Sequence, residues 1–169
     1  MTTLSHEFLQ HPPALFVPAW ADNAKVLADT ARIAREALAP KTYDIDLGYY
    51  PLDIMAQLGA AGALAPHMSS QGLRFDLAID AMRAVSRVCG TTGFMTWAHH
   101  ACGLYLDQSE NPAIHSGEVI RTHMHGQTFG GTALSNPMKA WTDIEPMALR
   151  AQKVPGGYTI SGSLPWVSH

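Results

Sequence analysis

The sequence predicts a mostly α protein with a C-terminal β portion. Three observations carry that expectation. Apolar residues recur at helical spacing from about residue 22 to residue 125. From Thr128 onward, glycines, small residues and short alternating runs replace that period. Pro155-Gly156-Gly157 then marks a turn between two such runs, the signature of a hairpin. The chain accordingly divides into an irregular arm at 1–21, a helical domain at 22–125 and a partial β domain at 126–169.

The elements follow in order. Residues 1–21 are rich in Pro and aromatics (HPPALFVPAW) and suit an irregular arm. Asp22 can cap a helix to about Leu38, with Leu27, Ala31, Ala34 and Leu38 on one face and Pro40 as its stop. KTYDIDLGYY reads as a polar loop. Pro51 suits a first helical turn, with Leu52, Met55 and Leu58 facing one way and Gly59 or Gly62 ending the helix. GALAPHMSSQG is a second loop. Phe75 to about Cys89 forms a helix with Ala78, Met82, Val85 and Cys89 in one stripe, and Gly90 separates it from another over Thr92 to Leu106. Asn111-Pro112 caps and opens a fifth helix to about His125. Strands are expected from Thr128, around Leu149 to Val154, at Tyr158 to Ser161, and from Leu164 to Ser168.

Composition excludes several classes. Lys and Arg number 11 against 14 Asp and Glu, a net charge of -3, too near zero for an electrostatic nucleic-acid binder. Apolar residues make up 47%, too many for a disordered chain. Cys89 and Cys102 cannot build a disulfide framework. The opening MTTLSHEFLQ has no basic start followed by an apolar stretch, so free thiols and no visible export signal point to the cytoplasm. Val88 to Leu106 lacks Asp, Glu, Lys and Arg over 19 residues, but it carries two His, three Thr and three Gly. It reads as a buried helix of a soluble domain rather than a membrane span.

A hairpin with one or two further strands cannot make a stable sheet alone. The last strand reaches His169 without a turn or polar tail, so the sequence reads as cut inside its second domain; the alternative is a small complete α+β protein whose strands pack on the helices.

These words, in this order, resemble the acyl-CoA dehydrogenase family of flavoproteins. ADTARIAREALAP is similar to the family's amphipathic helix ending in Ala-Pro, and YYPLDIMAQLGAAGALAP to its aromatic-Pro start, helix and Leu-Gly-x-x-Gly turn. TALSNP stands where the family has Thr-Glu-Pro, and GGYTISGSLPWVSH where it has Gly-x-Tyr, a strand, Gly-x-Lys and Trp-Ile-Thr-Asn. The resemblance covers about residues 22–169. It implies an acyl-CoA dehydrogenase-like N-terminal helical domain followed by a truncated β-barrel domain. It further implies FAD as cofactor, an acyl-CoA or other small-molecule substrate, and a homo-oligomer as the complete protein; the charge balance and the make-up of residues 88–106 add the expectation of no nucleic-acid or membrane partner.

Carried over residue by residue, the resemblance makes Leu134, Ser135, Trp166 and Ser168 the cofactor-binding residues. Backbone groups near Leu134 and the Ser135 hydroxyl would bond the flavin's pyrimidine edge, Trp166 would pack beside the ring, and Ser168 would reach the N5 region. Donors on the N1–C2=O side stabilise the charge that a flavin gains with a hydride. Three departures stand out. Asn136 replaces the usual Glu, MKAWTD at 138–143 replaces a Gly-rich stretch, and Leu164-Pro165 replaces the usual Lys. The family's catalytic Glu belongs to a C-terminal helical domain, and none of the 14 acidic residues here sits in a motif for it. The catalytic residue is therefore unassigned, and the chain alone is expected to be inactive.

Other features compete with this reading. His99-His100 and His123-x-His125 lack metal-ligand spacing, so no metal is expected. Met55, Met82, Met95 and Met124 suit core filling, and the two cysteines suit buried thiols. One alternative is a flavin-dependent monooxygenase of the same fold, in which Trp97 and His99 lie near the flavin edge and the imidazole acts as a base. Another is a non-catalytic helical interaction module that pairs through its weakly charged surface.

Overall fold

Asp22 caps the first described helix: its carboxylate accepts the backbone N–H groups of Ala24 and Lys25. The computed structural model describes residues 22–115 and 117–168. The arm expected at 1–21 lies outside the described residues. Contacts divide the chain into two compact units, one ending at Gly130 and the other beginning at Gly131.

The first unit is helical. Its elements are α1 (Asn23–Ile33), α2 (Thr42–Asp46), α3 (Leu52–Ala60), α4 (Phe75–Ser86), α5 (Gly90–Asp107), α6 (Pro112–His115) and α7 (Glu118–Met124). Pro40 does not stop the first helix, contrary to the sequence reading. Proline lacks an N–H and its ring crowds the carbonyl four residues back. The chain responds by widening to a π turn over Ala34–Leu38, where the Ala39 N–H reaches Ala34 O. It then tightens into a 3-10 turn over Ala39–Lys41 and continues into α2. The predicted loop at 41–50 is therefore partly helix.

Two helical faces also differ from the expected stripes. The buried side of the first helix and its π turn is Val26, Thr30, Ile33, Ala34 and Leu38, while Ala31 is exposed. On α3 the buried residues are Ile54, Met55 and Leu58, and Leu52 is exposed. Both cases are explained by a neighbour's position, which apolar spacing cannot specify. Gly62, at φ 84°, follows the end of α3 in the left-handed region that favours glycine.

The core joins Leu38, Ile54, Met55, Leu58 and Leu64 with Ala81, Val85 and Met95. Each fully buried aliphatic side chain contributes roughly 2 kcal/mol. α4 ends at Ser86, three residues before the expected Cys89. Cys89 instead precedes α5, and its sulfur accepts from the Thr92 N–H at 3.5 Å. Inside the buried part of α5 the Thr96 hydroxyl donates to Thr92 O at 2.9 Å, which lets a polar residue sit in the core. No described helix is long and apolar enough to cross a membrane.

The expected fifth helix is broken into α6 and α7. The Asn111 side chain caps α6 by accepting the Ala113 N–H at 3.0 Å. Gly117 then intervenes, and a Cβ there would lie 2.1 Å from Ala113 O, so the backbone approaches too closely for a side chain.

The second unit departs most from expectation. No strand forms from Thr128. The chain runs irregularly to α8 (Ser135–Trp141), which includes most of the stretch that stands where the family has a Gly-rich segment. Lys139, Ala140 and Trp141 are good enough helix formers to compete with extended backbone once nothing pairs with it. The hairpin forms as expected, from β1 (Arg150–Val154) and β2 (Gly157–Ser161), antiparallel with Ala151 opposite Ile160 and Lys153 opposite Tyr158. Gly156 takes φ 84° after Pro155, the second central position of a turn that needs positive φ. Leu164–Ser168 is not a strand of this sheet, which has two strands. Within that segment the Ser168 N–H donates to Thr132 O and the Trp166 carbonyl accepts from Asn136.

Candidate functional site

In the second unit the segments 132–136 and 166–168 lie side by side. The Ser168 N–H donates to Thr132 O at 3.0 Å. The Ser168 hydroxyl accepts the Thr132 N–H at 2.9 Å and donates to Thr132 O at 2.8 Å. Asn136 closes the other end. Its Nδ2 donates to Trp166 O at 2.7 Å and to Ala133 O at 3.0 Å. Thr132 and Asn136 are the two buried residues among the described residues of this unit. A polar clamp therefore does here what an apolar core does elsewhere.

Each sequence-predicted site residue has a definite place. Ser135 is exposed at the start of α8 and its hydroxyl has no partner among the described residues. Trp166 is 62% exposed, with Lys139 Nζ 5.6 Å from its ring centroid. The Leu134 N–H is already engaged, donating to the Thr132 hydroxyl at 3.2 Å. The Ser168 hydroxyl is likewise taken by Thr132. The donor set thus presents a free hydroxyl and an open aromatic face, which fits the edge and face of a planar aromatic ligand. The Leu134 N–H and Ser168 hydroxyl instead hold the two segments together. Sequence reasoning missed Asn136 and Thr132 as organisers. The signal available for Asn136 was its amide, which can donate twice where a carboxylate cannot.

The first unit holds a second polar constellation. His67 from the turn after α3, His99 and His100 from α5, and His123 from α7 are all buried. The rings of His99 and His123 stack at 3.7 Å with an interplanar angle of 7°. They exchange bonds, each Nε2–H donating to the other's carbonyl at 3.1 Å. His100 Nε2–H donates to Ala63 O at 3.1 Å, and its ring lies 4.5 Å from that of His67. Since a carbonyl only accepts, these bonds fix the Nε2–H tautomer on all three rings.

The satisfaction is incomplete. His99 Nδ1 and both ring nitrogens of His67 have no hydrogen bond. The backbone of His100 interacts with His67 short of hydrogen-bond geometry. Such orphaned groups cost roughly 1–3 kcal/mol each. Burial, with neighbouring imidazoles adding to it, pushes His67 down to about 3 and His99 to about 2. Burial likewise pushes His100 and His123 to about 4. All four are neutral at pH 7. His99 is 0% exposed, so its ring is not available as a surface base. Trp97, also singled out from the sequence, is exposed on α5 and packs on Phe94 at 5.4 Å. Among the described residues no group of three His, Cys, Asp or Glu is placed to hold a metal ion.

Comparison with known proteins supports a family relationship. The chain is 29% identical over 146 residues to the mitochondrial isovaleryl-CoA dehydrogenase of Oryza sativa subsp. japonica, covering 82% of this chain and 35% of that protein. It is 28% identical over 148 residues to that of Solanum tuberosum, with the same coverage of 82% and 35%. Against that of Bos taurus it is 26% identical over 156 residues, covering 88% and 36%. The chain is related to the acyl-CoA dehydrogenases. It spans about a third of the length of these relatives. No protein-family model matches it. No solved structure matches it. The mostly helical chain with a C-terminal antiparallel hairpin agrees with a dehydrogenase-type helical domain followed by the start of a β domain.

Proposed function

We propose that this chain forms the helical domain and the opening β portion of an FAD-dependent oxidoreductase that dehydrogenates an acyl thioester across its α and β carbons. The observation that carries the proposal is the clamp made by Thr132, Asn136 and Ser168, which joins the two segments that the family resemblance assigns to the flavin. Relatedness to dehydrogenases named for an acyl-CoA supports the substrate class.

In this reading the Ser135 hydroxyl donates to the pyrimidine edge of the ring system. Trp166 covers one side of it and excludes water there. Ser168 and Leu134 act one step back, by fixing the 132–136 backbone so that Ser135 is held in place. Bound FAD would supply the two-electron acceptor for the substrate's β-hydrogen. In the second unit the acidic side chains are Asp143 and Glu145, and Glu145 is paired with Lys139 at 3.1 Å. The proposal therefore assigns the base for the α-proton to the two thirds of the relatives' length that this chain does not span, and these 169 residues alone are inactive. The complete enzyme is a homo-oligomer acting on acyl-CoA. The cytoplasm is the proposed compartment, supported by the free thiols of Cys89 and Cys102.

The test is a titration of the chain with FAD, read by quenching of flavin fluorescence. Saturable binding is expected. Trp166→Ala removes an aromatic contact of about 1 kcal/mol, or about fivefold in affinity. Ser135→Ala removes one hydrogen bond and weakens affinity by a similar amount. Absence of saturable binding, or full affinity in both variants, overturns the assignment. For the complete enzyme, bleaching of the flavin by an acyl-CoA without oxygen distinguishes dehydrogenation from other flavin chemistry.

A further inference from the structure

Four imidazoles from three separate segments meet in the helical unit: His67 before the 3-10 turn Ser69–Gln71, His99 and His100 in α5, and His123 in α7. They touch one another through a stacked pair at 3.7 Å and a tilted pair at 4.5 Å. Gly103 of α5 completes the layer, for a Cβ there would lie 2.8 Å from His67 Nε2 and 3.1 Å from His123 Nε2. His67 is 2% exposed and offers a lone pair with nothing to receive. His99 Nδ1 is likewise an acceptor without a donor.

We propose that this histidine layer is an acid-operated release: its protonation frees the His67 turn and α7 from α5 and opens the helical unit in mild acid. A first added proton charges a ring stripped of water, and the His100 backbone beside His67 falls short of hydrogen-bond geometry. A second adds like charge within ring-contact distance, where repulsion is strong.

No counter-charge offsets this. The other titratable and charged groups on the surrounding elements are ion-paired, hydrogen-bonded, neutral or cationic. On α3, Asp53 binds Lys41 and Tyr49. Around α4, Asp76 binds Arg74 and Asp80 binds Arg83; Arg87, also there, is a cation and cannot neutralise an imidazolium. On α5, Asp107 accepts from Ser69 N at 3.1 Å and from its hydroxyl at 2.7 Å, Tyr105 is a phenol, and burial raises the Cys102 thiol, which stays protonated. At α7, Arg121 binds Glu118, and His125 is itself held down by burial and by Arg121. The charges that act on the four rings are those of the rings themselves.

The sign follows from linkage. The folded pKa values lie below the ordinary 6.5 of the unfolded chain, so the unfolded state binds the protons. Stability from this layer is fully present above about pH 6.5 and is lost as pH falls from there toward 4. Between pH 7.5 and 5.5 each such histidine raises the unfolding constant about tenfold, so four raise it about 10⁴-fold.

The experiment is urea unfolding of the full chain at pH 7.5 and 5.5, followed by far-ultraviolet circular dichroism. A ratio of unfolding constants near 10⁴ is expected. H67F is the decisive variant, because the wild-type ring makes no hydrogen bond to lose and already lies 6.5 Å from Phe75. It is expected to fold, to be no less stable at pH 7.5, and to cut the ratio about tenfold. An unchanged ratio in H67F, or a wild-type ratio below about tenfold, overturns the proposal. Should H67F fail to fold, imidazole proton shifts of the native chain decide. Four rings that stay neutral until the unit unfolds sustain the proposal, and ordinary titration near pH 6.5 in the folded state refutes it.

Discussion

The two units of this molecule are built on different physics. In the first, Leu38, Ile54, Met55, Leu58, Leu64 and Met68 are all wholly buried. In the second, the buried residues among those described are Thr132 and Asn136, both polar. The second unit is not short of apolar residues: Trp141, Ile144, Tyr158, Ile160 and Trp166 are all well exposed. The difference teaches that apolar content makes a core only when a second layer is present to cover it. Without that layer, backbone hydrogen bonds and one amide clamp carry the local order.

The comparison can be broken at its strongest point first. α3 meets the 125–126 turn backbone to backbone, and a Cβ on Gly59 would lie 2.4 Å from His125 O. Gly59→Ala is expected to cost about 3 kcal/mol of the helical unit's stability. Urea unfolding measures it, and a loss under about 1 kcal/mol would mean that this packing is not rigid. Asn136→Ala comes next. Removing both Nδ2 bonds is expected to cost about 2 kcal/mol. Amide hydrogen exchange at 132–136 and 166–168 should then accelerate about thirtyfold, with α3 to α5 unaffected. The smallest effect belongs to the hairpin. Ile160→Thr is expected to change stability by no more than about 0.5 kcal/mol, because the side chain is exposed. A measured loss above about 1 kcal/mol would show that this face is covered in solution.

Much of the architecture was legible in the residues. Asp22 and Asn111 read as helix caps because a short acceptor before an apolar run has few other uses, and both side chains accept backbone N–H groups. Pro155-Gly156 read as a turn because of fixed φ followed by freedom at positive φ. The helix expected over 92–106 read as central because that stretch lacks charge, and eight residues of the observed Gly90–Asp107 helix are buried. What misled was the second unit. Thr128 to Ser135 has strand composition, yet a strand needs a neighbour to pair with, and pairing is not local. Of the residues expected at the site, Ser135 and Trp166 are exposed with a free hydroxyl and an open ring face, while the Leu134 N–H and the Ser168 hydroxyl are spent on Thr132.

The histidines mark the limit of sequence reading. His99 and His100 are adjacent and therefore diverge around their helix, which spacing alone makes plain. That His99 meets His123 and that His100 meets His67 depends on how α5, α7 and a turn pack. Residue order by itself determined the helical class, the caps, the hairpin and the family relationship, because each rests on local chemistry or on a string of letters. Only tertiary structure decided which side chains are buried together, which donors are already spent and where imidazoles stack, because those depend on contacts between residues far apart in the chain.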